Sequence, residues 1–248
     1  MLFSLRHWSR RLIARLPSAI PSSCAICGIH DNSAICSRCR TQFFSQPKHR
    51  CRQCAIPLPN KPAGTAAKCG ECLSRPPSFD ATIVASDYAP PIDRLVLALK
   101  FGNQLALAPL FARILRDALL DERQLPLPML LTAVPLGTRR LAERGFNQAL
   151  EIGRPLSRAL GIALDPHLVA RLRDTQAQTL LHPDERHQNI RHAFVVPDGA
   201  VARIHGMHIG VVDDVITTGE TLNELAATLK RFGAERVTNF VFARTLQK

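Results

Sequence analysis

Two adjacent carboxylates, Asp213 and Asp214, close an apolar run in GVVDDVITTGETL (residues 210–222). Like charges side by side repel, and a carboxylate withdrawn from water is costly unless something compensates it. A pair of this kind at a strand end points to a ligand, either a cation or a polyol. Thr217, Thr218, Gly219 and Thr221 follow, and then a helical pattern with Leu222, Leu225, Ala226, Leu229 and Phe232 on one face. Free amides at the start of that helix make a phosphate cradle. The segment lacks the lysine of a Walker loop and carries acids where that motif has none. One phosphate beside two acids suits a sugar phosphate whose vicinal hydroxyls donate to the carboxylates. A plainer reading makes Thr221-x-x-Glu224 a capping box and the threonines simple helix starters. That reading explains the helix but not the double aspartate.

A second chemistry lies in the first third of the chain, which holds all eight cysteines. They form four C-x-x-C pairs: Cys24/Cys27, Cys36/Cys39, Cys51/Cys54 and Cys69/Cys72. A two-residue spacer lets both thiolates of a pair point at one tetrahedral ion, and two pairs complete a four-cysteine zinc site. Sequential pairing gives Cys24, Cys27, Cys36 and Cys39 one ion and the other four a second; spacing also permits a cross-braced arrangement. A module this small buries little, so structural zinc is expected to hold it folded. A single C-x-x-C suits a redox pair, but four in series do not, and no secretion signal argues for disulfides.

The elements that must carry these groups are legible as alternating strands and helices. From PPSFD (76–80) onward, ATIVASDY reads as a strand and PPIDRLVLALKF as a helix with apolar residues at 92, 95, 96 and 99. LALAPLFARILRDALL continues helically, MLLTAVP is a strand, and a helix runs around ERGFNQALEIGRPLSRAL. LVARLR reads as a strand before a polar stretch. HIGVVDD, ETLNELAATLKRF (closed by Gly233) and RVTNFVFAR then read as strand, helix and strand. This alternation predicts an α/β domain with a mostly parallel sheet flanked by helices. The expected organisation is a basic segment at 1–22, a Cys-rich zinc-binding module at 23–78 and the α/β domain at 79–248. The double aspartate falls at a strand-to-helix junction, where open α/β sheets bind ligands.

Charge is uneven. Residues 1–80 carry 12 Lys or Arg against three acids, while the remainder holds 20 basic and 17 acidic side chains. The front is therefore the candidate surface for a polyanion. No apolar stretch approaches the roughly 18 residues of a membrane span. Arginines interrupt the apolar residues of MLFSLRHWSRRLIARLPSAIP, so no secretion signal is read and a cytoplasmic location is expected.

VVDDVITTGET resembles the signature of the type I phosphoribosyltransferases, which bind phosphoribosyl pyrophosphate (PRPP). From about Cys24 onward the chain resembles the ComF/GntX family of competence-associated proteins. The likeness lies in the cysteine-rich front, ALKFGN (98–103), VPLGTRRLAERGFNQA (134–149) and RLRDTQAQTLLHPDERHQN (171–189). The resemblance implies a type I phosphoribosyltransferase-like domain behind the Cys-rich module. It implies that Asp213 and Asp214 hold the ribose hydroxyls in catalysis, with Mg2+ nearby through the pyrophosphate. It places Thr217, Thr218, Gly219 and Thr221 around the 5′-phosphate and makes PLGTRR the pyrophosphate loop, with Arg139 and Arg140 as guanidinium forks. Segment 173–188 becomes the flap over the substrate. Arg144, Asn147 and Gln148 lie in a family motif without a role. The implied function is PRPP binding and transfer of its phosphoribosyl group with Mg2+, linked to DNA uptake in competence or to nucleotide metabolism. The contrasting function is a non-catalytic adaptor in DNA uptake, bound to single-stranded DNA or a competence-machinery protein, with a vestigial or regulatory PRPP site.

Overall fold

The computed structural model describes residues 22–44, 49–58, 67–122, 125–172 and 193–246. The chain forms two compact units, Met1–Pro47 and Lys48–Lys248. In the first, β1 (Ser22–Ser23) pairs antiparallel with β2 (His30–Asp31), and α1 (Ser37–Phe43) follows. The Cys36 thiol caps α1 by accepting from the Cys39 amide.

The second unit opens with the same device. In the first unit the Gly28 amide donates to Cys24 carbonyl (2.9 Å) and the Cys24 amide to Ile29 carbonyl (2.8 Å). In the second, the Ala55 amide donates to Cys51 carbonyl (2.7 Å) and the Cys51 amide to Ile56 carbonyl (2.8 Å). Gly28 (φ 75°) and Ala55 (φ 60°) both take the left-handed conformation this turn requires, which glycine accepts freely and alanine only at a cost. In each unit the second cysteine pair starts a short helix, here α2 (Gly70–Ser74) behind Cys69. CAICGI and CRQCAI are thus two copies of one turn.

The sheet has five strands in the order β3-β9-β8-β4-β5, and every neighbouring pair is parallel. These are β3 (Ala81–Asp87), β4 (Leu130–Ala133), β5 (Ala163–Leu164), β8 (His208–Ile216) and β9 (Arg236–Arg244). Strand β4 leads outward to β5 and β8 leads the other way to β9, so the connections diverge between β4 and β8. A ligand crevice belongs at the carboxyl ends of such a pair.

Helices α3 (Ile92–Phe101), α4 (Leu107–Asp121), α5 (Thr138–Arg144), α6 (Gln148–Leu160) and α7 (Glu220–Arg231) surround the sheet. Ile92, Leu95, Val96 and Leu99 of α3 are buried, the stripe expected from their spacing. On one face Phe111 of α4 stacks on Phe242 of β9, ring centroids 3.5 Å apart, and Gly153 of α6 lies against Leu164 and Val212. On the other face Leu222, Leu225, Ala226 and Leu229 of α7 join Ile209, Val211, Val237 and Val241 in one core.

Two expectations change. The helix read through ERGFNQALEIGRPLSRAL is broken at Gly145 (φ 75°), and α6 restarts behind Asn147, whose Oδ1 accepts from the amides of Ala149 and Leu150. LVARLR contributes only β6 (Ala170–Arg171), which leaves the main sheet to pair antiparallel with β7 (Phe194–Val195). Among the described residues no helix is long and apolar enough to cross a membrane.

The sheet-bearing unit begins at Lys48, so the Cys51–Cys72 segment folds with it. Arg50 ion-pairs with Asp87 at the end of β3 (2.6 Å, both side chains 14% exposed), and the Thr82 amide donates to Arg52 carbonyl. Removing one partner of a largely buried pair costs about 3 kcal/mol. A chain starting at Phe79 is therefore expected to melt roughly 10 °C below one starting at Lys48. Circular-dichroism melts of the two fragments measure this, and equal midpoints would show that the segment contributes nothing to the sheet domain.

Candidate functional site

Successive side chains of a strand point to opposite faces, and β8 applies this rule to its two acids. Ile209 and Val211 belong to the α7-side core, and Asp213, next in that register, lines a cleft with Val215, Ile216, Thr217, Gly219, Thr221 and Leu222. Val212 faces α6, and Asp214 follows it to that side, where the Lys100 ammonium of α3 meets its Oδ2 at 2.6 Å. Asp214 is 3% exposed and absent from the cleft lining. The two aspartates are neighbours in sequence but face different surroundings.

Asp213 is half-buried, and its carboxyl is pushed well above the ordinary range, first by desolvation and then by the Asp214 charge. The Asp214 amide, donating to Asp213 Oδ1 at 2.9 Å, and the charge of Lys100 oppose that rise. Lys100 had no assigned role. Its signal was positional: residues 92, 96 and 100 fall four apart on the apolar face of α3, so a lysine there needs a buried partner.

The same helix end contacts the motif residues that had no role. Arg144 lies over the Phe101 ring, 4.9 Å from its centroid, and its Nη1 donates to Gln148 Oε1 at 2.9 Å. Asn147 caps α6 and donates Nδ2 to Val134 carbonyl, tying α6 to the end of β4. In this arrangement Asn147 and Gln148 position helices.

The turn from β8 to α7 passes through Gly219 at φ 90°. A side chain there is strained whatever the space around it. Gly219 is also the N-cap of α7 and, having no side chain, offers no cap bond of its own. The capping box with Thr221 at its head is therefore corrected: the glycine starts the helix two residues earlier and places Thr221 inside the first turn. Thr217, Gly219 and Thr221 line the cleft with Asp213, whereas Thr218 is exposed and outside the lining. Arg139 and Arg140 sit on α5 beyond β4 and do not line this cleft; Arg139 Nε reaches Glu143 at 3.1 Å. Segment 173–188 lies outside the described residues, although Leu172 and Ala193 at its two flanks are hydrogen-bonded (2.9 Å).

The cysteines assemble sequentially. Cys24, Cys27, Cys36 and Cys39 form one group and Cys51, Cys54, Cys69 and Cys72 another, with the sulfurs of each group within 4.8 Å of one another. The Cys27–Cys36 and Cys54–Cys69 sulfurs stand 3.8 and 3.7 Å apart. A tetrahedron with Zn–S bonds of about 2.3 Å has an edge of about 3.8 Å, so both groups fit zinc. The amides of Cys36 and Cys39 donate to the sulfurs of Cys24 and Cys36. Without a cation four crowded thiols divide their protons unevenly. A hydrogen bond from Cys54 brings the Cys51 thiol down to about 4, and burial pushes Cys72 up to about 12.

With this geometry in view, the phosphoribosyl transferase domain family matches residues 147–248, which contain β8, α7 and β9. The chain is 36% identical over 235 residues to the DNA utilization protein YhgH of Salmonella typhi, covering 92% of this chain and 99% of that one. It is 35% identical over 233 residues to YhgH of Escherichia coli K12, with the same coverage. It is 35% identical over 217 residues to competence protein F of Haemophilus influenzae, covering 86% and 91%. The chain belongs to the ComF/GntX family. Its type I phosphoribosyltransferase-like fold accompanies two four-cysteine groups that could hold zinc. Arg139 and Arg140 lie ahead of the segment that the domain family matches.

Two outcomes are expected. Elemental analysis of the reduced protein should find two zinc ions per chain, and Cys51→Ser with Cys54→Ser should leave one; an unchanged content would separate the second group from metal binding. The other concerns Asp213. Its raised pKa makes the ionised form a cost to folding that disappears as pH falls through that pKa. Asp213→Asn should raise the melting temperature at about pH 8 and much less at about pH 4, where the native carboxyl is already protonated. Scanning calorimetry at both values reads the difference, and an equal shift at both would remove Asp213 as its source.

Proposed function

We propose that the cleft between β8 and α7 binds PRPP and that the protein transfers or senses its phosphoribosyl group. The observation that carries this reading is the left-handed turn at Gly219, which starts α7 on the same cleft as Asp213. The α7 amides with Thr217 and Thr221 receive the 5′-phosphate, favoured by the positive end of the helix. Asp213 accepts from the ribose hydroxyls, while Asp214, tied to Lys100 on the opposite face of the strand, acts through its charge on Asp213. Arg139 and Arg140, on α5 after the neighbouring strand β4, offer guanidinium forks suited to pyrophosphate oxygens. The half-exposed Asp213 carboxylate is a hard oxygen donor suited to Mg2+, which when bound neutralises charge on the leaving pyrophosphate.

The reaction supported by this set is displacement at the anomeric carbon. The bond to pyrophosphate breaks, positive charge develops on the sugar, and the acceptor takes its place. Asp213 and Asp214 then act by position and charge rather than as a base. The related proteins named for DNA utilization and competence, together with the basic front of the chain, support a link to DNA uptake and a second reading as an adaptor with a regulatory PRPP site.

Calorimetric titration of PRPP with Mg2+ is expected to show binding that Asp213→Asn weakens by roughly 1.5–3 kcal/mol, tenfold or more in Kd. Release of pyrophosphate in the presence of an acceptor supports transfer. PRPP binding without release, with salt-sensitive binding of single-stranded DNA, supports the adaptor. Equal PRPP affinity in wild type and Asp213→Asn would remove the aspartate from the sugar.

A further inference from the structure

The second cysteine group stands directly behind the phosphate turn. Gln53, inside the Cys51–Cys54 turn, is 4% exposed and donates Nε2 to the carbonyls of Pro77 (3.1 Å) and Phe79 (2.9 Å). These two bonds fix the strap of residues 77–79. Phe79 is buried, and its ring edge reaches Gly219: a Cβ at Gly219 would lie 3.9 Å from Phe79 Cζ and 3.6 Å from Ile216 Cδ1. On the same strap the Ser78 amide donates to Asn223 Oδ1 at 2.7 Å, which grips the first turn of α7. The cysteine turn, the strap and the phosphate turn form one continuous packed path.

A second path carries charge. Arg244 ends β9 in register with Ile216 of β8, and the next amide, Thr245, donates to Ile216 carbonyl at 3.0 Å. Arg244 is 2% exposed, and among the described residues its Nε and Nη1 have no hydrogen-bond partner. Burial opposes its charge most, the like charge of Arg50 adds to that cost, and the sulfurs of Cys54, Cys69 and Cys51 offset it. A buried guanidinium with idle donors is costly unless an anion faces it. Four thiolates around one Zn2+ retain net negative charge, and their sulfurs accept hydrogen bonds. The cation and the metal group therefore complete each other.

We propose that the zinc-loaded Cys51/Cys54/Cys69/Cys72 group is a positioning element of the PRPP site. Through Gln53 and Phe79, and through Arg244, it holds residues 216–219 in the shape that presents the α7 amides. The inference deepens the PRPP reading and depends on it for its consequence in binding, while the mechanical link can be read without any ligand. Loss of zinc from this group releases Arg244 and the strap together. The turn then loses its backing although β8 and α7 remain.

Hydrogen exchange followed by mass spectrometry on the full zinc-loaded chain tests the link, with the amides of α4 as internal reference. Cys69→Ser, verified by elemental analysis to have lost one zinc, is expected to speed exchange at residues 216–224 at least tenfold while α4 stays protected. Phe79→Leu keeps the metal ligands and should speed exchange there with zinc content unchanged. Arg244→Met should release zinc to a chelator at least tenfold faster than Arg244→Lys, which keeps the charge. Should Cys69→Ser unfold the domain and expose α4 as well, Phe79→Leu and the Arg244 pair decide. Unchanged exchange at 216–224 in a folded, zinc-depleted variant overturns the proposal, as does equal zinc release from both Arg244 variants. PRPP titration of the same proteins separates the two readings. If wild type binds PRPP and Phe79→Leu binds it at least fivefold more weakly, both stand. If wild type does not bind PRPP, the ligand assignment fails and exchange alone judges the link.

Discussion

The two-residue period of a β-strand is the constraint from which the site follows. Asp213 and Asp214 cannot share a face while β8 stays paired to β9 along its length. One acid is sent towards α7 and the ligand cleft, the other into the layer under α3. A carboxylate driven into that layer needs a cation, and Lys100 at the end of α3 supplies it at 2.6 Å. The pair in turn fixes where α3 ends, because the lysine must come down on the carboxyl end of β8. Phe101 and Gly102 then leave the helix at the rim, where Arg144 covers the exposed ring. Helix termination, the buried ion pair and the rim of the site are consequences of one strand parity.

The cysteine turns show how a single local motif can serve two different needs. Each copy is too small to bury a core of its own, so a metal site is the ordinary route to stability. The second copy adds something that the turn itself does not require: Gln53 between its cysteines and Arg50 ahead of them, both directed at the sheet unit. The first copy has Ile26 and Arg38 between its cysteine pairs and no glutamine. The amide at position 53 can satisfy two backbone carbonyls of a strap that has no strand partner. An apolar residue there would fill the space and leave both carbonyls unpaired.

Much of this was legible in the sequence because period and punctuation agreed. RVTNFVFAR coincides with β9, and the stripe at 92, 95, 96 and 99 is the buried face of α3. The four C-x-x-C pairs announced tetrahedral sites, and the sequential grouping was one of two arrangements left open. The failures have local causes. The break at Gly145 was hidden because the residues on both sides are good helix formers, and only the αL turn with the Asn147 cap separates α5 from α6. Thr221-x-x-Glu224 satisfied a capping pattern that a glycine two residues earlier had already pre-empted. The division of the acids between two faces follows from parity alone and was readable. Its partner Lys100 required knowing which helix covers β8, and that is a matter of topology.

The charges around the cleft select among ligands by opposition. The start of α7 presents backbone amides and the positive end of a twelve-residue helix, which favour an anion. Asp213, a few residues upstream on the same cleft, disfavours one, and desolvation and the Asp214 charge raise its pKa. Inorganic phosphate alone would gain the amides but meet the carboxylate. A neutral polyol would satisfy the carboxylate but leave the amides facing nothing. A phosphate ester carrying free hydroxyls satisfies both ends at once, provided its two functions are held apart by the ester linkage. The conflict between the two ends is then relieved only by a ligand with that polarity. This is also why the site can keep a half-buried carboxylate whose ionisation desolvation and a neighbouring like charge resist.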